Sequence, residues 1–125
     1  MIEPIRLHHV SFAVKDLARS REFFRNVVGL GEIPRPAFPF PGAWFAIGDR
    51  QLHLIEESGK EGREEAARLT RSDHMALEVA DVDVVREELE KAGVAYQRGE
   101  NRALGFAQIF CSDPDGHTIE FVRYY

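Results

Sequence analysis

From Leu7 to Val14, polar and apolar residues alternate. His8, Val10, Phe12 and Val14 fall on one side of a strand, and His9, Ser11 and Ala13 on the other. The first set is suited to pack on a helix. The second lines a space with small side chains and one imidazole. Asp16 then reads as a helix cap, and Leu17, Phe23, Phe24, Val27 and Val28 recur at helical spacing, closed by Gly29 and Gly31. Four prolines at 34, 36, 39 and 41 exclude a central strand from the irregular stretch 32–43. Trp44–Ile47 and Gln51–Ile55 read as a hairpin turned at Gly48-Asp49, with His53 and Ile55 on one face and Leu52 and Leu54 on the other.

Residues 56–73 are polar and charged, a linker with one predicted helical turn at 64–69. Then the pattern restarts. His74-Met75-Ala76-Leu77-Glu78-Val79 echoes His9-Val10-Ser11-Phe12-Ala13-Val14, and Asp81 repeats Asp16 at the same spacing of 65. Val82–Ala92 is a predicted helix with Val85, Leu89 and Ala92 inward. Ala95–Gln97, Phe106–Cys111 and Thr118–Tyr124 are the remaining predicted strands. Before the last of these, Asp113-Pro114-Asp115-Gly116 is a turn signal: Pro114 presets φ and Gly116 tolerates a positive value. The chain is therefore two tandem copies of strand–helix–strand–strand–strand. The predicted boundaries are one domain over 1–125, with modules at 5–57 and 73–124 and a linker at 58–72.

The totals narrow the class. The 125 residues suit one domain with a real core, and the formal charge of −5 without a basic stripe argues against nucleic acid and anionic membranes. No apolar run approaches a membrane span, the start Met-Ile-Glu-Pro-Ile-Arg lacks the apolar stretch of a signal peptide, and the single cysteine allows no intrachain disulfide. The expectation is a soluble cytoplasmic protein. Cys111 sits in an apolar strand and reads as packing.

Candidate chemistry comes from the repeat. A lone strand histidine is normally structural, and a lone carboxylate after a turn, such as Glu120, is normally solvated. Here the first and fourth strands of each copy carry a metal-capable residue on the face away from the helix: His9, His53, His74 and Glu120. Four such positions related by the repeat point to a shared divalent site for zinc, nickel, manganese or iron. Three neutral imidazoles and one carboxylate on a divalent ion leave net positive charge, which favours an anionic or enolate-like ligand. His8 and His117 fall outside the set by alternation.

On these residues the chain resembles the vicinal oxygen chelate superfamily, which includes glyoxalase I, methylmalonyl-CoA epimerase, fosfomycin-inactivating enzymes, extradiol dioxygenases and bleomycin-binding proteins. The matching pieces are His9–Leu17, Ser20–Leu30, Gln51–Ile55, His74–Val79 and Asp113–Phe121. The resemblance implies an α+β fold of two βαβββ modules with curled mixed sheets around a metal cavity. It places His9, His53, His74 and Glu120 on the four ligand positions of one divalent ion. It also implies a homodimer whose sites are shared between chains, and a small-molecule substrate.

By the same resemblance, fosfomycin enzymes lack a ligand where His53 stands, which favours the isomerase-like branch. Bacterial glyoxalase I has glutamate there and uses an arginine and an asparagine for glutathione where this chain has Ala13 and Glu57. A glutathione co-substrate is therefore not carried over. The leading expectation is a glyoxalase I-like lyase or isomerase acting through a metal-stabilised enediolate, with Glu120 as base and Glu78 in reserve. The alternatives are a fosfomycin-type transferase or hydrolase with Arg98 and Arg102 meeting a phosphonate, an extradiol dioxygenase, and a drug- or metabolite-binding protein. In the last, Pro39, Phe40 and Trp44 would form a stacking surface.

Overall fold

The computed structural model describes residue 1 and residues 3–57 and 73–125. The chain divides into two compact units, Met1–Glu61 and Gly62–Tyr125. The predicted linker 58–72, with its helical turn at 64–69, lies outside the described residues.

The first unit begins with strand β1 (His9–Val14). Asp16 ends it and caps helix α1 (Leu17–Glu22), its carboxylate accepting from the Arg19 N–H at 3.1 Å. A single α-helix was expected through Val28. Instead the backbone widens into a π-helical turn over Phe23–Val27. Phe23 and Phe24 are consecutive and both buried, with rings edge to face at 5.1 Å. Burial of two adjacent large rings is the packing demand that accompanies this departure from regular α spacing.

Two more findings extend the sequence reading. The proline-rich stretch holds a two-residue strand, β2 (Glu32–Ile33), paired antiparallel with β3 (Gly42–Ile47). Its position at the sheet edge is where prolines are tolerated. Glu32 is tied to α1 through Arg21 at 2.8 Å and to the π-helical turn through Arg25. Strand β4 (Arg50–Glu56) closes the unit, and the sheet order is β1-β4-β3-β2 with β1 and β4 parallel. The core is the helix-side face: Val14, Phe24, Phe45, Leu52 and Leu54 are fully buried. Each such side chain contributes about 1.5–3 kcal/mol.

The second unit repeats the plan. Strand β5 (His74–Glu78) leads to Asp81, which caps helix α2 (Val82–Ala92) by accepting from the Asp83 N–H at 2.8 Å. Val82 and Leu89 are the buried helix residues; Ala92, expected inward, is exposed. Strands β6 (Tyr96–Asn101), β7 (Phe106–Ser112) and β8 (Thr118–Tyr124) follow in the order β5-β8-β7-β6, again with the outer first strand parallel to the fourth. Strand β6 runs four residues beyond its expected end at Gln97. Both sheets are mixed, open and four-stranded.

The turn into β8 is a buried network. Asp113 accepts from the N–H of Asp115 at 3.1 Å and of His117 at 2.7 Å, and its other oxygen meets His117 Nδ1 at 2.7 Å. Gly116 supplies the positive φ of 84° that closes it. This fixes where β8 starts, and so where Glu120 sits.

Candidate metal and substrate site

In the second unit, His74 and Glu120 stand on adjacent strands. Ala76 is the register partner of Glu120, and His74, Ala76 and Glu78 share its face. His74 Nε2 lies 2.8 Å from Glu120 Oε2. The other carboxylate oxygen, Oε1, accepts from Gln108 Nε2 at 2.7 Å. Glu120 is only 6% exposed, so the solvated reading of a lone strand carboxylate does not apply to it. A buried carboxylate needs such partners, and β8, a central strand, brings them from both neighbours. Phe110, opposite Glu120 in register, also meets the edge of the His74 ring at 5.7 Å.

In the first unit, His53 is register partner to Ser11 and Trp44, and His9 shares that face. Its ring is held between two others. His9 stacks on it at 4.0 Å with 17° between planes, and Trp44 at 4.0 Å with 2°. His53 Nε2 meets Gln51 Oε1 at 2.8 Å. With the amide oxygen accepting, Nε2 carries the proton and Nδ1 keeps its lone pair. Burial, and then the nearby charges of His9, His8 and Arg35, hold the His53 imidazole below its ordinary pKa, which keeps it neutral and ligand-ready. His8, expected apart from the set, reaches His9 with 2.9 Å between their Nδ1 atoms.

Each unit therefore brings together one pair of donors of the expected chemistry, on the face away from its helix. Among the described residues no three His, Cys, Asp or Glu side chains converge as a complete metal site. By donor chemistry the residues present suit a divalent ion as two half-sets of imidazole and carboxylate donors.

The other candidates divide. Trp44 is half-buried against His53, and Phe40 is exposed and stacked on Phe38 at 5.4 Å. Glu78 is exposed at the end of β5, two register pairs beyond Glu120. The two arginines expected to meet a phosphonate are both engaged by other groups. Arg98 is register partner to Ile109, so it lies on the sheet face opposite Glu120, and its Nη1 donates to Asp83 Oδ1 of α2 at 2.6 Å. Arg102 lies just past β6 with an exposed side chain, beside Glu100 at 3.5 Å and over the Tyr125 ring. Strand β6 continues past Gln97, and its alternation turns Arg98 toward the helix.

Three site residues escaped the sequence reading: Gln51, Gln108 and Arg35. Gln51 was within reach of the alternation rule, two residues from His53 on β4, whereas Gln108 stands on β7, which carries no expected site residue. Arg35 lies in the irregular stretch, where no period applies.

The sequence model of the Glyoxalase/Bleomycin resistance protein/Dioxygenase superfamily matches residues 6–121. A glyoxylase I protein of Arabidopsis thaliana, Glyoxylase I 4, is 30% identical over 118 residues, covering 91% of this chain and 68% of that protein. Glutathione transferase FosA of Serratia marcescens is 34% identical over 118 residues, covering 91% and 77%. Among solved structures, the fosfomycin resistance protein FosX from Listeria monocytogenes superposes with a TM-score of 0.80 at 20% identity, covering 98% of this chain and 95% of that one. It was solved as a point mutant complexed with Mn(II) and 1S,2S-dihydroxypropylphosphonic acid.

Proposed function

Because the chain belongs to the Glyoxalase/Bleomycin resistance protein/Dioxygenase superfamily, we propose that it is a metal-dependent lyase or isomerase of the glyoxalase I type. Its substrate is a small molecule with two neighbouring oxygens, which it enolises. The ion takes His9, His53, His74 and Glu120, one module's pair coming from each chain of a homodimer. The named relatives are enzymes, and FosX, of the same fold, binds Mn(II), which supports a divalent ion here. When bound, such an ion would supply Lewis-acid stabilisation of the charge that develops on the two substrate oxygens.

The observation that carries the reading is Glu120: a buried carboxylate 2.8 Å from an imidazole and fixed by Gln108. Its task is to take the proton from the carbon beside the carbonyl and return it to the neighbouring carbon. Gln108 holds one oxygen, which orients the other. Trp44 offers a flat apolar wall beside His53 that excludes water from one side of a planar substrate.

A fosfomycin-type thiol transferase is the second reading, favoured by the similarity to FosA. The imidazole at position 53 and the orientation of Arg98 weigh against it.

The test starts with elemental analysis of the purified protein, where about one divalent ion per chain is expected. Solvent deuterium exchange into methylglyoxal–thiol adducts is then followed with zinc, nickel, manganese or iron restored. Glu120→Gln should lower exchange by roughly 10²–10⁴-fold at full metal content, and Glu78→Gln should leave it near wild type. If Glu78→Gln abolishes exchange while metal-restored Glu120→Gln stays active, the base is Glu78. If the wild type enolises nothing with any of the four metals, the binding-protein reading takes its place.

A further inference from the structure

Arg35 is a cation in the proline-rich stretch before β3. It makes no ion pair among the described residues, and its Nε is buried without a hydrogen-bond partner. One Nη2 hydrogen bond to the Phe40 carbonyl, at 2.9 Å, holds the guanidinium. The rings of Phe38 and Phe40 each have their centroid 5.0 Å from its central carbon, and both rings are exposed. Of a guanidinium's five donors, the buried Nε–H is closed to a ligand, and the two on Nη1 have no hydrogen-bond partner among the described residues.

Its location is set by Gly42. A Cβ there would stand 2.8 Å from Arg35 Nε and from Nη2, and 2.5 Å from the Leu54 carbonyl oxygen. The guanidinium thus occupies the space where a side chain of β3 would project. Gly42 is two residues from Trp44 on β3 and so shares its sheet face, the face of His53.

We propose that Arg35 forms an anion subsite on this face, taking the carboxylate of a small organic acid whose apolar body rests on Phe38, Phe40 and Trp44. Guanidinium and carboxylate match as a planar fork, and the aromatic shelf adds contact area. This names the substrate class for the proposed enzyme and rests on that reading only for the reaction. The subsite is defined by binding alone and is tested without turnover.

Trp44 is the only tryptophan in the chain, so its fluorescence reports on this face. The metal-free protein is titrated with phenylacetate and with the uncharged phenylacetamide, at constant ionic strength in chloride. The wild type should bind the carboxylate saturably and about 10- to 100-fold more tightly than the amide, the range set by one charge-assisted pair. Arg35→Gln should lose that preference while binding the amide as before, because the shelf remains. A residue that merely braces the loop would change both ligands together. Arg35→Lys keeps the charge but not the fork, and should show an intermediate preference; it serves if Arg35→Gln does not fold. Equal affinity for acid and amide in the wild type, or an undiminished preference in Arg35→Gln, overturns the subsite. Failure of proton exchange with these titrations intact would overturn the reaction and leave the subsite standing.

Discussion

The two modules follow one plan and hold their donors by different means. In the second, His74 and Glu120 are joined directly, and Gln108 takes the remaining carboxylate oxygen. In the first, His53 is gripped by ring stacking between His9 and Trp44, with one hydrogen bond to Gln51. A carboxylate is fixed by an imidazole and an amide, and a ring by other rings. The residue opposite the fourth-strand donor is aromatic in both, Trp44 in one and Phe110 in the other. The second strands differ further. Strand β6 is six residues of regular edge, whereas β2 is two residues followed by the proline-rich loop that carries Arg35, Phe38 and Phe40. One module is the more regular frame, and the other gives up regular pairing for a surface of distinct chemistry.

The turns that lead into the fourth strands should show the largest contrast. Asp113 is buried and satisfies two backbone N–H groups, whereas Asp49 of the β3–β4 hairpin has a side chain 76% exposed. Asp113→Ala is expected to cost about 2–5 kcal/mol in urea unfolding, from stranded buried donors. Asp49→Ala should stay within about 0.5 kcal/mol. Similar costs for both would remove the distinction between the turns.

Next come the groups that hold the proposed ligands. Gln108→Leu frees one side of Glu120, and Trp44→Leu frees one face of His53. Each should weaken metal affinity by about 10–100-fold in competition with a chelator, the usual scale for groups that orient ligands. The two modes of support are then equivalent in strength. An effect confined to Gln108→Leu would mean that the stacked module contributes no donor.

The smallest expected signal is an absence. Cys111 in β7 is fully buried, and burial followed by the Asp113 charge pushes its thiol up to about 12. At pH 8 the folded protein should not react with a thiol reagent over hours, while unfolded protein should react at once. Prompt native labelling would show that β7 opens and that the second module is the looser one.

The sequence by itself determined the repeat, the two caps at Asp16 and Asp81, and the face on which His9, His53, His74 and Glu120 stand. These follow from local rules: alternation in strands, side-chain capping, and glycine at helix ends. They hold wherever one face of a strand is buried, because a slip of one residue would expose the core. Only the tertiary structure decided the rest. The π turn at Phe23–Val27 answers a packing demand invisible in helical periodicity. The length of β6, which turned Arg98 away from the site, depended on pairing with β7. The grip of Trp44 on His53 and of Gln108 on Glu120 comes from strand neighbours far apart in the chain. Arg35 was beyond local rules altogether, since its place depends on Gly42 leaving room for a guanidinium where any other residue would put a side chain.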